Sequence, residues 1–164
     1  MSRQPRTPRS KLLDVDRLVE RFGRPRAGEV VFTNGVFDIM HRGHAVYLSK
    51  ARALGDALIV GINTDASARR LGKGADRPLN REEDRALLVA ALESVDAVCL
   101  FDEDTPESLI GRLIPDILVK GGDYSADQVA GGDRVREEGG RVEIIDFLEG
   151  YSTTDLIRRI RETD

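Results

Sequence analysis

The sequence predicts an α/β fold: a doubly wound, five-stranded parallel sheet with helices on both faces. Three observations lead there. Short, nearly all-apolar segments recur along the chain, as strands buried on both faces require. Helical stripes of apolar residues alternate with them, the pattern of strand–helix–strand units. Glycine and polar residues cluster directly after the strands, where such sheets place their ligands.

The elements follow in order. Leu12, Val15, Leu18, Val19 and Phe22 form a helical stripe that stops at Gly23 and Pro25. The first strand is Glu29 to Thr33, β-branched and aromatic. A helix starts at Gly43, turns Leu48, Ala51 and Leu54 inward, and stops at Gly55. The second strand is Ala57 to Ile62. A polar, glycine-bearing loop from Ala68 to Arg77 leads to Asn80, the expected N-cap of a helix from Arg81 to Leu92. Glu82, Glu83 and Asp84 complement the dipole of its first turn. The third strand is Ala97 to Phe101, and Thr105-Pro106 reads as a cap followed by a first-turn proline. The fourth strand is Asp116 to Val119 and the fifth Val142 to Phe147. Ser152 opens the last helix, with Asp155 as the acidic partner of a capping box. The whole reads as a Rossmann-like domain over residues 12–164, preceded by a disordered basic tail over 1–11.

Composition narrows the setting. A third of the 164 residues are charged and 40% are apolar, which is globular rather than disordered. A net charge of −4 argues against binding nucleic acid by bulk electrostatics, so a basic site must be local. The single cysteine, Cys99, excludes an internal disulfide and reads as a core thiol in a reducing compartment. No apolar run approaches the roughly 20 residues of a membrane helix, and no secretory pattern follows the basic start. A cytoplasmic location is expected.

The stretch from Val30 to His44, VVFTNGVFDIMHRGH, carries the chemistry. It joins a strand, a glycine turn and a helix start that bears both histidines of the chain, His41 and His44. Unpaired amides at a helix N-terminus bind anions, and imidazoles add donors that respond near neutral pH. Polar runs after the other strands converge on the same edge: Asn63-Thr64-Asp65, Lys120-Gly121-Gly122-Asp123-Tyr124, and Glu149 to Thr154. Ser152-Thr153-Thr154 is a good helix cap with or without a ligand. Lys73 stands among Arg69, Arg70 and Arg77, and a solvated basic loop explains it as readily as catalysis does. No G-x-G-x-x-G follows the first strand, which argues against a dinucleotide oxidoreductase.

His41-Arg42-Gly43-His44 after a first strand, with Ser152-Thr153-Thr154 opening the last helix, resembles the HxGH nucleotidyltransferase superfamily. That superfamily holds the phosphate cytidylyltransferases and class I aminoacyl-tRNA synthetases. FTNGVFDIMHRGH, GINTDASARRLGKGADRPLN, DEDTPESLI, LVKGGDY and EGYSTTDLI together resemble the heptose 1-phosphate adenylyltransferases, over Leu12 to Ile160. Arg77-Pro78-Leu79-Asn80 with LVKGGDY points to that branch. Such enzymes occur alone or fused behind a sugar kinase, and the stand-alone form is expected here.

The resemblance implies transfer of AMP from ATP, carried with Mg²⁺, to D-glycero-D-manno-heptose 1-phosphate, by a homodimer. His41 and His44 would donate to the α- and β-phosphates. Lys73 would close over the triphosphate. Thr33, Asn34, Gly35, Phe37 and Gly43 would cradle the nucleotide, with Lys120, Gly121 and Asp123 lining the site and Ser152, Thr153 and Thr154 holding the β- and γ-phosphates. Asp38, Arg77 and Arg85 would serve the sugar phosphate. Mg²⁺ would be held by phosphates and water, with no protein metal site. One departure stands out. Glycerol-phosphate cytidylyltransferases carry an arginine before the Glu-Gly of the last loop, where this chain reads Asp146-Phe147-Leu148. A cytidylyltransferase for glycerol 3-phosphate or another alcohol phosphate, and a non-catalytic nucleotide-binding module, remain the alternatives.

Overall fold

The computed structural model describes residues 6–163. Strands β1 (Val30–Gly35), β2 (Ala57–Asn63), β3 (Ala97–Phe101), β4 (Ile117–Gly121) and β5 (Arg141–Ile145) make one parallel sheet in the order β3-β2-β1-β4-β5. Helices α1 (Val15–Phe22), α2 (Arg42–Arg52), α3 (Asp65–Arg70), α4 (Glu82–Ala90), α5 (Glu107–Leu113), α6 (Gly132–Glu137) and α7 (Thr153–Arg161) surround it.

The strand period of two separates the apolar residues into two cores. Val30 and Phe32 of β1 enter one core with Leu18 of α1, Ile110 and Leu113 of α5 and Val135 of α6. Val31 enters the other with Leu48 and Ala51 of α2 and Val89 and Ala90 of α4. Leu18, Leu48, Leu58, Ile62, Ile110 and Leu113 are fully buried, each contributing roughly 2 kcal/mol of apolar transfer energy. Both faces of the sheet are therefore sealed, and its strand ends remain for a ligand. Among the described residues no helix is long and apolar enough to cross a membrane.

The boundaries differ from the sequence pattern where tertiary contacts decide. Leu12 and Leu13 do not join α1; Leu12 forms a parallel bridge with Val98, and the Leu13 amide donates to the Val98 carbonyl at 2.9 Å. Asp14 caps α1 in their place, accepting from the Arg17 amide at 2.8 Å. The tail expected to be disordered falls outside the described residues over 1–5. Its described part carries a 3-10 turn at Pro8–Lys11, and buried Lys11 donates to the Leu92 carbonyl at 2.9 Å. Two helices fill segments with no helical stripe. Thr64 caps α3 by accepting from the Ser67 amide at 3.2 Å, and α6 buries little beyond Val135 and Gly132.

Caps also shift. Arg81, not Asn80, precedes α4, because the Asn80 side chain donates to the Asp38 carbonyl at 2.6 Å. Pro106, not Thr105, is the N-cap of α5, so the helix starts one residue later than expected, and the Pro106 carbonyl accepts from Ile110. Ser152 caps α7 through the Asp155 amide at 3.0 Å, but the Asp155 carboxylate lies 3.7 Å from Arg158 and leaves the box half made. Near the ligand edge β1 and β4 run two residues further than expected, to Gly35 and Gly121. β5 stops at Ile145, which frees Phe147 at 65% exposure.

Candidate active site

The chain leaves β1 and β4 in opposite directions along the sheet order, and a crevice opens at that switch. A cavity of about 400 Å³ lies there, built from the ends of β1 and β4, the start of α2, the 73–77 loop and the entry to α7.

The first wall is the segment after β1. His41 is the N-cap of α2: its Nδ1 accepts from the Gly43 amide at 3.0 Å. Nδ1 of His44 accepts from the His41 amide at 3.3 Å, and the rings stack with centroids 3.9 Å apart. An Nδ1 that accepts an amide proton carries none, so each neutral ring holds its proton on Nε2. Burial lowers the pKa of His41. Burial, then His41, then the Lys73 ammonium push His44 down to about 4. At neutral pH the wall therefore presents two uncharged N–H donors of fixed tautomer. The glycine between them is a steric need: a Cβ at Gly43 would stand 2.8 Å from the His41 ring and 3.2 Å from Tyr151. Phe37 is in the left-handed region at φ +50°, buried, with its ring 5.3 Å from His44.

The second wall follows β4 and β5. Burial, then Lys73, lower the pKa of Lys120, and its Nζ sits 5.4 Å from the Tyr124 ring. The Phe147 ring lies on Gly121 and Gly122, where an added Cβ would come within 2.5 and 2.7 Å of ring atoms. Leu148 and Tyr151 continue this wall to the N-terminus of α7. Thr153 joins the walls, its hydroxyl donating to the Ile39 carbonyl at 3.3 Å. Lys73 and Arg77 complete the rim.

Of the residues expected at the site, the cavity gathers Asn34, Gly35, Phe37, Asp38, His41, Gly43, His44, Lys73, Arg77, Lys120, Gly121 and Ser152 to Thr154. Three lie elsewhere. Thr33 is buried beneath the cavity, its hydroxyl 2.7 Å from that of Tyr47. Asp123 stays outside, and Tyr124 takes its place on the lining. Arg85 is fully buried, with all three guanidinium nitrogens engaged: Nε to the Asn80 carbonyl, Nη1 to that of Val36, Nη2 to the Asp65 carboxylate. Asp38 lines the cavity, but Arg77 Nε (2.6 Å) and the amides of Leu79 and Asn80 already occupy its carboxylate. Burial opposes its charge, yet the bonds from Asn80, Leu79 and Arg77 outweigh it and hold the pKa below the ordinary carboxylate value. Asn63-Thr64-Asp65, expected at the same edge, instead shapes α3 and receives Arg85.

Sequence reasoning assigned no site role to the lining residues Val36, Tyr47, Phe147 and Leu148, and brought Tyr124 and Tyr151 to this edge only as members of polar runs. Tyr47 carries a readable signal, since three residues after His44 it shares the helix face. Among the described residues no group of three or more His, Cys, Asp or Glu side chains is placed to hold a metal ion. The donor set fits Mg²⁺ brought in on phosphates rather than caged by protein.

Residues 32–159 match the model of the Cytidylyltransferase-like family, and the chain belongs to that family. It is 55% identical over 153 residues to a "Bifunctional protein HldE" of Citrifermentans bemidjiense, covering 92% of this chain and 31% of that protein. The HldE of Cronobacter sakazakii is 53% identical over 139 residues, covering 85% and 29%. The chain thus spans about a third of the length of the curated relatives it matches. A solved lipopolysaccharide core biosynthesis protein from Thermoplasma volcanium superposes with TM-score 0.63 at 32% identity, over 77% of this chain and all of that one.

Proposed function

We propose that the chain transfers AMP from ATP to D-glycero-β-D-manno-heptose 1-phosphate, releasing pyrophosphate and giving ADP-heptose for lipopolysaccharide or related surface glycans. The observation that carries the transfer chemistry is the pair of tautomer-fixed histidine donors facing two lysines and a helix N-terminus in one cavity. This set suits a triphosphate and brings no nucleophile of its own. A sugar phosphate already is one: its oxygen attacks the α-phosphorus, a P–O bond forms, and the bond to the bridging oxygen breaks. The electron pair leaves with pyrophosphate, and no proton need move. What the site must supply is alignment and donors where charge accumulates.

His41 and His44 are assigned to the α- and β-phosphates, and Ser152 with the amides of Thr153 and Thr154 to the β- and γ-phosphates. Lys73 stands between Gly72 and Gly74, both at positive φ with no Cβ obstruction closer than 3.6 Å, so its loop is free to bring the ammonium over the triphosphate. Mg²⁺ bound with ATP would neutralise phosphate charge. Arg77, held at Nε by Asp38, faces the cavity and is assigned to the acceptor phosphate. The heptose follows from the likeness of Arg77 to Asn80 and LVKGGDY to the heptose branch and from the identity with the matched part of HldE. The work is assigned to the cytoplasm, with the chain as a homodimer.

The test is pyrophosphate release from purified protein with Mg²⁺, each of four nucleoside triphosphates, and a panel of sugar and polyol phosphates. ATP with heptose 1-phosphate is expected to be the productive pair. Release with CTP and glycerol 3-phosphate instead would replace this reading with the cytidylyltransferase one, and no release with any pair would leave a binding module.

A further inference from the structure

The buried arginine beneath the cavity has no ligand to meet, yet two of its three bonds end on segments that shape the site and the third on the carboxylate that braces it. Nη1 donates at 2.7 Å to the carbonyl of Val36, whose next residue is Phe37. Phe37 holds a backbone conformation that side chains rarely adopt, and its ring packs toward His44. Nε donates at 3.0 Å to the carbonyl of Asn80, at the foot of the loop that carries Lys73. Nη2 meets the Asp65 carboxylate at 2.8 Å, which orients the guanidinium from the far side. Asp38 ties the first two segments together, binding the amides of Leu79 and Asn80 and the guanidinium of Arg77.

We propose that Arg85, braced by Asp65 and coupled to Asp38, is a positioning residue of nucleotidyl transfer: it fixes the Phe37 turn that seats His44 and the foot of the Lys73 loop, without touching substrate. It deepens the reading of the cavity as the transfer site and rests on it. A planar guanidinium suits the task because it spans three acceptors at fixed angles. A lysine ammonium keeps the charge but is a single point and cannot reach all three. The energetic logic is that of a strained turn held by its surroundings. Without the Val36 bond, nothing else donates to that carbonyl, and Phe37 is free to relax toward negative φ. The His44 ring then loses a neighbour at 5.3 Å, and a displacement of about 1 Å at a donor can cost on the order of 100-fold in rate.

The test compares wild type, Arg85→Lys and Asp65→Asn in the full chain. Asp65 is partly exposed, so its amide variant keeps an acceptor and folds even if Arg85→Lys does not. Two readouts are taken: the kcat and KM split with saturating nucleotide, and the imidazole ¹⁵N shifts of His44 in ligand-free protein. Arg85→Lys is expected to lose about 100-fold in kcat with KM for the acceptor within a few-fold, and to show mixed Nδ1/Nε2 protonation at His44. Asp65→Asn is expected to move both readouts the same way by less. Should Arg85→Lys fail to fold, Asp65→Asn decides alone. A folded variant whose kcat stays within twofold, or whose His44 shifts match wild type, overturns the proposal. The ¹⁵N measurement needs no substrate. If no nucleotide and acceptor pair reacts even with wild type, the functional reading fails, while the positioning of His44 is still decided.

Discussion

The two walls of the cavity are built on opposite plans. The wall from Val36 to His44 rests on buried matter: Phe37 is 7% exposed, Asp38 2% and Arg85 not at all. Among the described residues no buried side-chain nitrogen or oxygen lacks a hydrogen-bond partner, and the Nε2 donors of the two histidines are left to face the cavity. The wall from Phe147 to Arg161 has no buried residue in α7, and Phe147, Tyr151 and Ile160 stand 65%, 41% and 59% exposed. The contrast teaches a division of labour. Donors that must meet developing charge at an α-phosphorus gain from being fixed before the substrate arrives. A cap assigned to the far phosphates can tolerate motion, because under the proposed function the triphosphate itself would organise it.

Perturbing the stiff wall is expected to give the largest effects. His41→Ala and His44→Ala should each lower kcat by roughly 100- to 1000-fold, the scale of one lost preorganised donor. Each also removes one half of the cap of α2 and is expected to cost about 1 kcal/mol of stability at pH 7.5, far less than the kinetic loss. Wild-type turnover in either would break the comparison at its centre. The same wall sets an acid limb of stability. His44 titrates at about 4 in the folded protein and near 6.5 when unfolded, so between these values the unfolded chain binds more protons. Stability is full above about 6.5 and declines as pH falls toward 4. His44→Ala should flatten the urea midpoint against pH in that window, and an unchanged slope would mean the ring is not held neutral by burial.

Perturbing the open wall should cost less and cost differently. Ser152→Ala removes the cap on the Asp155 amide and is expected to destabilise by about 1 kcal/mol. Its kinetic effect should appear as a several-fold rise in KM for the nucleotide with kcat nearly kept. An equal fall in kcat would place the cap in the transition state and blur the two plans. The smallest effect is expected for Phe147→Ala, under about 0.5 kcal/mol in denaturant titration because the ring is mostly in water. A loss above 2 kcal/mol would show that this wall is packed after all.

The strands and the histidine segment were readable because their signals are local. β3 was placed residue for residue, since Ala97 to Phe101 is an uninterrupted apolar run between polar flanks. Helix α6 was not, because a six-residue helix with Val135 as its main apolar anchor has no stripe to detect. Leu12 obeys a helical period yet pairs with Val98, a contact 86 residues away that no window can see. Among site residues, the family resemblance implies roles for Lys73, Arg77 and Lys120, and the cavity gathers all three. The resemblance also implies a sugar-phosphate role for Arg85, which the structure instead buries outside the cavity, since sequence reveals that a guanidinium exists but not where its hydrogen bonds end. Thr33 failed likewise: its hydroxyl is turned to Tyr47, a partner on another element. Tyr124 and Tyr151 fall in runs read at the ligand edge, but nothing in the sequence says that their rings line the cavity.

The stacked imidazoles also bear on which ions the protein attracts. Two histidines 3.9 Å apart at a cavity mouth look like a chelating pair for zinc, nickel or copper. Metal coordination through Nε2 needs that nitrogen bare and usually moves the proton to Nδ1. Here both Nδ1 atoms are committed as acceptors to the amides that begin α2, so coordination would break the helix cap twice over. The hydrogen bonds that fix the tautomer of both rings therefore also discriminate against transition metals, and a cell's trace zinc meets two imidazoles whose bare nitrogens are already taken.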